Sequence, residues 1–228
     1  MMELIDTYWL YFLVGQYPNG PLGGLALTLV LASLGLLLAL PLGILLGLGR
    51  VSPLACVRIP VSGLVFVVRG TPLLMVVFWA YFFLPVITGS KTNQFNTMLA
   101  ALVLFDAAYL AEIVRAGLQA LPGGQMQAAR SLGLSYAQAM RLVLLPQALR
   151  HMLPSLVNQF VSTIKQTSLG TIIGLSELSY IANQINAQVL VKPAEIFATL
   201  ALTYFILCFG LSRIAYALET RLSARPQP

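Results

Sequence analysis

Charge is what this chain has least of: 13 basic and 7 acidic side chains among 228 residues, or 9%. A soluble domain carries roughly 25% charged residues, so a water-facing surface over most of the fold is excluded. Histidine occurs once, at His151, and no Cys, Asp or Glu stands at ligand spacing from it, so no metal site is expected. A proton relay is the other use open to a lone histidine. The two cysteines, Cys56 and Cys208, lie in or beside apolar blocks and read as small hydrophobes rather than a disulfide. No Lys/Arg cluster with interleaved aromatics is present, so the net charge of +6 is not a nucleic-acid signature. The first residues carry Glu3 and Asp6 in place of a basic n-region, and no signal peptide is expected. Short alternating segments, the mark of an outer-membrane barrel, do not dominate either.

What fills the chain is apolar: 58% hydrophobic residues and a mean hydropathy of +0.86, gathered in long blocks. A crossing needs about 20 such residues. Candidate spans run from about Leu22 to Leu48, Leu54 to Leu84, Thr97 to Leu118, Tyr136 to Lys165 and Ala194 to Leu218. The expected fold is therefore an all-α membrane protein of five transmembrane helices. The second block is interrupted by Gly70-Thr71-Pro72 and the fourth by Pro146 and Pro154. Proline removes a helical hydrogen bond, and such breaks persist in a membrane where neighbours or a polar cavity satisfy the freed groups. Gly43 and Gly47 form a small-residue pair suited to close helix packing.

Arginines set the expected orientation. Arg50 and Arg58 separate the first two spans, Arg115, Arg130 and Arg141 surround the third connection, and Arg213, Arg221 and Arg225 end or follow the last span. The opposite connections hold only Lys91 and Lys192. The positive-inside rule then puts the N-terminus outside and the C-terminus in the cytoplasm. Residues 1–17, with Tyr8-Trp9-Leu10-Tyr11-Phe12, suit an interfacial segment, 18–222 the membrane domain and 223–228 a cytoplasmic tail.

The third connection, about residues 123–135, carries the most local information. Gln125 to Leu132 is long enough for two helical turns, Gly133 suits the residue that ends such a helix, and Ser135 with Gln138 reads as a capping box. A short rigid helix at the cytoplasmic surface is expected; a plain connector is the alternative from local pattern alone. Its residues also resemble a known signature. Gln127-Ala128-Ala129, then Gly133 and Val143, Leu145 and Pro146, is similar to the EAA motif of ABC importer permeases at matching spacing, with Gln for Glu at 127 and Val for Ile at 143. Arg69-Gly70-Thr71-Pro72, Ala108-Tyr109 with Glu112, Arg115-Ala116-Gly117, Leu145-Pro146-Gln147-Ala148 and Thr167-Ser168-Leu169 resemble the polar-amino-acid subfamily, and the glutamate/aspartate permeases around Phe105 to Gln119.

The resemblance implies a type-I ABC importer transmembrane domain that pairs with an identical or homologous permease. It also implies two ATP-binding subunits below, a periplasmic amino-acid-binding protein above, and an acidic amino acid as cargo. ATP would be bound by the partner subunits, and this chain would be no enzyme. Gln127, Ala128, Ala129, Gly133 and Pro146 would then couple to the ATPase, and the Gln at 127 removes a charge from that surface.

Charges inside apolar spans are costly and mark a partner or a pathway. Arg69 fits either a guanidinium facing the pore or an ion pair with Asp106 or Glu112. Glu112 and Arg115 are three apart, share a face and are expected to pair. Asp106 suits neutralisation of Arg69 or the holding of a substrate ammonium. Lys165, beside Thr167 and Ser168, fits either an acidic substrate's route or a lysine snorkelling to the interface. With Thr71 these form the candidate pathway. A gradient-driven carrier would use similar charges, but five spans without an internal repeat, and the signature loop, argue against it. Gly89-Ser90-Lys91-Thr92 lacks the glycines of a P-loop, and no Ser/His, HExxH or paired-Asp motif points to an intramembrane enzyme.

Overall fold

The computed structural model describes residues 2–89 and 91–223; Ser90 and most of the expected tail, with Arg225, lie outside the described residues. A chain this apolar must satisfy its backbone polar groups internally, and the helix does so within one segment. The elements are α1 (Met2–Val14), α2 (Gly24–Arg50), α3 (Ala55–Gly70), α4 (Leu73–Phe78), α5 (Leu84–Thr88) and α6 (Gln94–Gln119). After them come α7 (Gln125–Ser131), α8 (Tyr136–Ala139), α9 (Leu145–Gln166), α10 (Leu178–Val189) and α11 (Pro193–Ser223). π-helical turns at Trp79–Phe83 and Met140–Leu144 join α4 to α5 and α8 to α9, and a 3-10 stretch, Thr167–Ile173, continues α9.

Three described helices, α2, α6 and α11, are long and apolar enough to cross a membrane, and they coincide with the first, third and fifth expected spans. The second expected span is not one straight rod. It breaks at Gly70-Thr71-Pro72, and α3 meets the α4–α5 unit at 95°; taken together the bent pair would be a fourth crossing. The break is chemical. Pro72 brings no N–H, and the Thr71 hydroxyl turns back to donate to the Val67 carbonyl at 2.9 Å. The fourth expected span falls on residues 136–166, a continuous but amphipathic path carrying Gln147, Arg150, His151 and Gln159. Its π-turn lies just before Pro146, where the regular helical ladder loses a donor.

α6 is the central rod. It buries Met98, Leu102, Phe105, Leu110, Ala111 and Val114 among its neighbours. Its closest partner is α2, and glycine makes the approach possible. A Cβ at Gly43 would sit 2.4 Å from Cβ of Leu110, and one at Gly47 would sit 2.6 Å from Cβ of Val114. No side chain fits there, so the backbones touch, as the Gly43/Gly47 spacing predicts.

The connection expected between the last two spans contains a helix, α10, that the apolar pattern does not reveal. Its start is fixed by Glu177, which is fully buried and accepts from the Ser179 and Tyr180 N–H groups at 2.9 Å each. The Tyr204 hydroxyl of α11 donates to the same carboxylate at 3.3 Å. Leu178, Ile181 and Ile185 then pack with Phe12 of α1 and Ile196 of α11, so the N-terminal helix is held by the far end of the chain.

Replacing Gly47 with Leu should lower stability by about 2 kcal/mol through overpacking against Val114. Gly210→Leu, at a site with no atom within 4 Å of the new Cβ, should leave the thermal midpoint in detergent unchanged. Equal midpoints for the two variants would contradict this packing.

Candidate functional site

Near one end of the bundle, three arginines converge on one carboxylate. Glu112 of α6 is paired with Arg50 from the last turn of α2, Arg69 from the last turn of α3, and Arg115 one turn along its own helix. Arg69 Nη1 donates to Oε2 at 3.0 Å and Arg115 Nε to Oε1 at 3.1 Å. Arg115 also bonds the Gln119 side chain, and the Arg69 guanidinium lies over the Tyr109 ring, 5.1 Å from its centre. One carboxylate cannot neutralise three guanidiniums, so the cluster keeps two positive charges in excess. Arg69 is its most open member, with 37% of its side chain exposed against 15% for Arg50. Of the two partners offered to Arg69, Glu112 is the one it takes, and the expected Glu112–Arg115 pair is present. Arg50 was readable only as a topological charge; its role here depends on how far α2 leans onto α6.

Asp106 does not neutralise Arg69, which corrects one of its two expected roles. It is fully buried, and accepts from Gln159 Nε2 at 2.8 Å and from the Thr163 hydroxyl at 2.9 Å. Both partners stand on one face of α9, four residues apart, so the carboxylate fastens α6 to α9. A polar i, i+4 pair on an amphipathic helix was the available signal for it.

The remaining pathway candidates do not converge with that cluster. The Thr71 hydroxyl is used at the α3 break. Thr167, buried, donates to the Ile164 carbonyl at 2.7 Å, and the Ser168 hydroxyl to the Lys165 carbonyl at 2.6 Å. These hydroxyls close the end of α9, and Lys165 itself is exposed. No group of three or more His, Cys, Asp or Glu side chains gathers among the described residues.

The connection after α6 is built as its sequence predicts. α7 spans Gln125–Ser131, and Gly133 takes φ +86°, a left-handed conformation that side chains rarely adopt. Leu134 N–H returns to the Ala129 carbonyl and Gly133 N–H to the Arg130 carbonyl, closing the helix. Ser135 and Gln138 form the capping box that opens α8. Behind α7, Gln125 Nε2 donates to Gln147 Oε1 at 3.0 Å, and Gln147 donates to the Val143 carbonyl at 2.9 Å. This tie fixes α7 to α9 without any charge. Ala129 faces inward, while Gln127, Ala128 and Gly133 face outward with Pro146. Leu132, 84% exposed, is a large apolar side chain at the tip.

Residues 39–224 match the model of the family described as binding-protein-dependent transport system inner membrane component. The chain belongs to that family. It is 41% identical to the inner membrane amino-acid ABC transporter permease protein YhdY of Escherichia coli, over 97% of this chain and 63% of that one. It is 39% identical to the glutamate/glutamine/aspartate/asparagine transport system permease protein BztC of Rhodobacter capsulatus, over 88% of this chain and 47% of that one. The chain thus spans between about half and two thirds of the length of those two relatives. It covers 91% of the probable glutamine ABC transporter permease protein GlnP of Bacillus subtilis, at 38% identity. Among solved structures, an amino acid ABC transporter crystallised with histidines superposes with a TM-score of 0.79 at 34% identity, covering 87% of this chain and 92% of that one. The fold of this inner membrane component is accordingly that of type-I ABC importer permeases, and its protruding α7 falls inside the matched region.

In this inner membrane component, Glu112→Gln should leave three guanidiniums mutually repelling and cost about 2 kcal/mol. Thermal unfolding in detergent should show a lowered midpoint that added salt partly restores. A midpoint indifferent to the substitution would mean that the cluster holds nothing together.

Proposed function

We propose that this chain is the permease subunit of an ATP-driven, binding-protein-dependent importer of polar amino acids, acidic ones foremost. The observation that carries the reading is α7. A two-turn helix with an apolar tip, stopped by a positive-φ glycine and tied behind to α9, is a rigid handle on the membrane bundle. Two ATP-binding subunits would seat it on the cytoplasmic side, and a second permease, identical or homologous, would complete the transmembrane pair. A periplasmic amino-acid-binding protein would deliver the cargo from the other side. ATP stays with the partner subunits; this chain supplies pathway and lever, through alternating access. The orientation follows the arginine distribution, with the N-terminus periplasmic and the C-terminus cytoplasmic.

The acidic preference rests on charge. Two excess positive charges beside a broken helix favour a substrate that brings carboxylates, and Arg69, the most exposed of the three, offers the bidentate geometry. One relative, BztC, is named for glutamate and aspartate among its substrates. Other relatives carry names that include glutamine, arginine and cystine, so the family fold takes polar amino acids of several charges. Asp106, enclosed by Gln159 and Thr163, supports the structure of this pathway rather than its selectivity.

Gly133→Val forces a β-branched residue into φ +86°. ATP-coupled uptake in proteoliposomes should fall to background while membrane insertion stays normal. Full uptake by this variant would defeat the lever. Arg69→Ala should reduce uptake of glutamate and aspartate by roughly tenfold, the value of one charge-assisted hydrogen bond, and affect arginine uptake less. Equal losses for all three substrates, measured by competition, would remove Arg69 from selectivity.

A further inference from the structure

At the same end of the bundle as α7 lies a cavity of about 380 Å³ that shares only Arg50 with the cluster proposed to attract substrate. Its polar wall is Arg50 from the end of α2, Arg58 from the first turn of α3, Gln119 and Tyr136; Met126 of α7 and Leu144 line its apolar side. The Tyr136 hydroxyl donates to the Val51 carbonyl at 3.4 Å and braces the α2–α3 connection above it. Arg50 spends Nη1 on Glu112, but its Nε is buried and bonds to nothing among the described residues. Arg58 is exposed at the rim. The nearest acid, Glu112, already serves three arginines. The cavity is thus a mainly apolar recess, lined also by Val51, Leu118 and Met140, with two arginines on one wall and an unspent donor behind it.

We infer that this cavity binds the phosphate of an anionic phospholipid headgroup. The chemistry recognised is a phosphate oxygen pair between two guanidiniums, which suits arginine's fork. What favours a lipid over a free anion is the surroundings. Leu54, just ahead of α3, and Ile59, next to Arg58 along it, are 59% and 67% exposed. A ligand with a charged end and an adjoining apolar body fits both surfaces at once. Basic pockets between membrane helices on the cytoplasmic side are a recurrent setting for such headgroups. Because Met126 belongs to α7, an occupied cavity presses on the handle itself, and inner-leaflet composition becomes an input to coupling. The assignment to the inner leaflet rests on the orientation proposed above; binding itself does not.

The test uses the complete transporter, solubilised with its ATP-binding and permease partners and exchanged into phosphatidylcholine alone or phosphatidylcholine and phosphatidylglycerol in equal parts. Native mass spectrometry counts the lipids retained. Wild type should keep phosphatidylglycerol in preference to phosphatidylcholine, and Arg58→Gln should keep about fivefold less of it, the value of one basic side chain at a membrane surface. Lys91→Gln, at the opposite end of the chain's topology, should match wild type. Equal retention by wild type and Arg58→Gln, or no preference over phosphatidylcholine, overturns the site. Displacement of the lipid by inorganic phosphate alone would assign the cavity to a soluble anion and overturn the headgroup. Uptake in the same lipids is a separate reading: failure to transport with lipid retention intact counts against the permease function and not against the cavity.

Discussion

The backbones of α2 and α6 touch, and nearly everything else about this molecule follows from that approach. Gly43 and Gly47 leave room for Leu110 and Val114 at distances no side chain tolerates. In lipid, burying apolar surface gives helices little reason to associate, so close packing must do the holding. With α6 fixed against α2, each of its polar residues acquires a defined address. Asp106 reaches α9 and Glu112 reaches the ends of α2 and α3. A single rod therefore organises the bundle through one apolar contact and two polar ones.

The two acids on α6 show how differently a carboxylate can be kept at depth. Asp106 is wrapped by neutral donors and closed off. Glu112 is overwhelmed by cations and stays partly open, with 24% of its side chain exposed. The first arrangement has neutral donors in place of a counter-ion and serves as a fastener. The second projects a positive field into whatever space lies in front of Arg69, and it screens less than an exposed surface pair would because it is only partly solvated. A neutral fastener and a cation cluster are thereby separated by six residues of one helix.

Much of this was legible in the residues. Spans ruled by length and apolarity, such as α2, α6 and α11, can be read directly, because hydropathy is a local quantity. So can the turn chemistry: Gly133, Ser135 and Gln138 do in the structure what their types dictate. The Glu112–Arg115 pair follows from helical spacing. What depends on distance in space is not readable in this way. Arg50 joins Arg69 on Glu112 only because three helix ends meet, and Asp106 finds Gln159 and Thr163 across a 53-residue separation or more. α10 is hidden for another reason. Its amphipathic sequence lies in a stretch too polar to draw attention, and a single buried glutamate marks its start.

The right-angled elbow between α3 and α4 has an electrostatic corollary. Gly70 and Pro72 are both exposed, and the helix is interrupted between them. Hydrocarbon does not solvate free carbonyls, so an elbow that meets it must be wetted or covered by protein. Where water reaches it, the local permittivity rises, and the Arg69 guanidinium keeps part of its hydration instead of losing it all. The oily body would then contain a notch where the dehydration barrier is lowest, set there by one proline and one glycine.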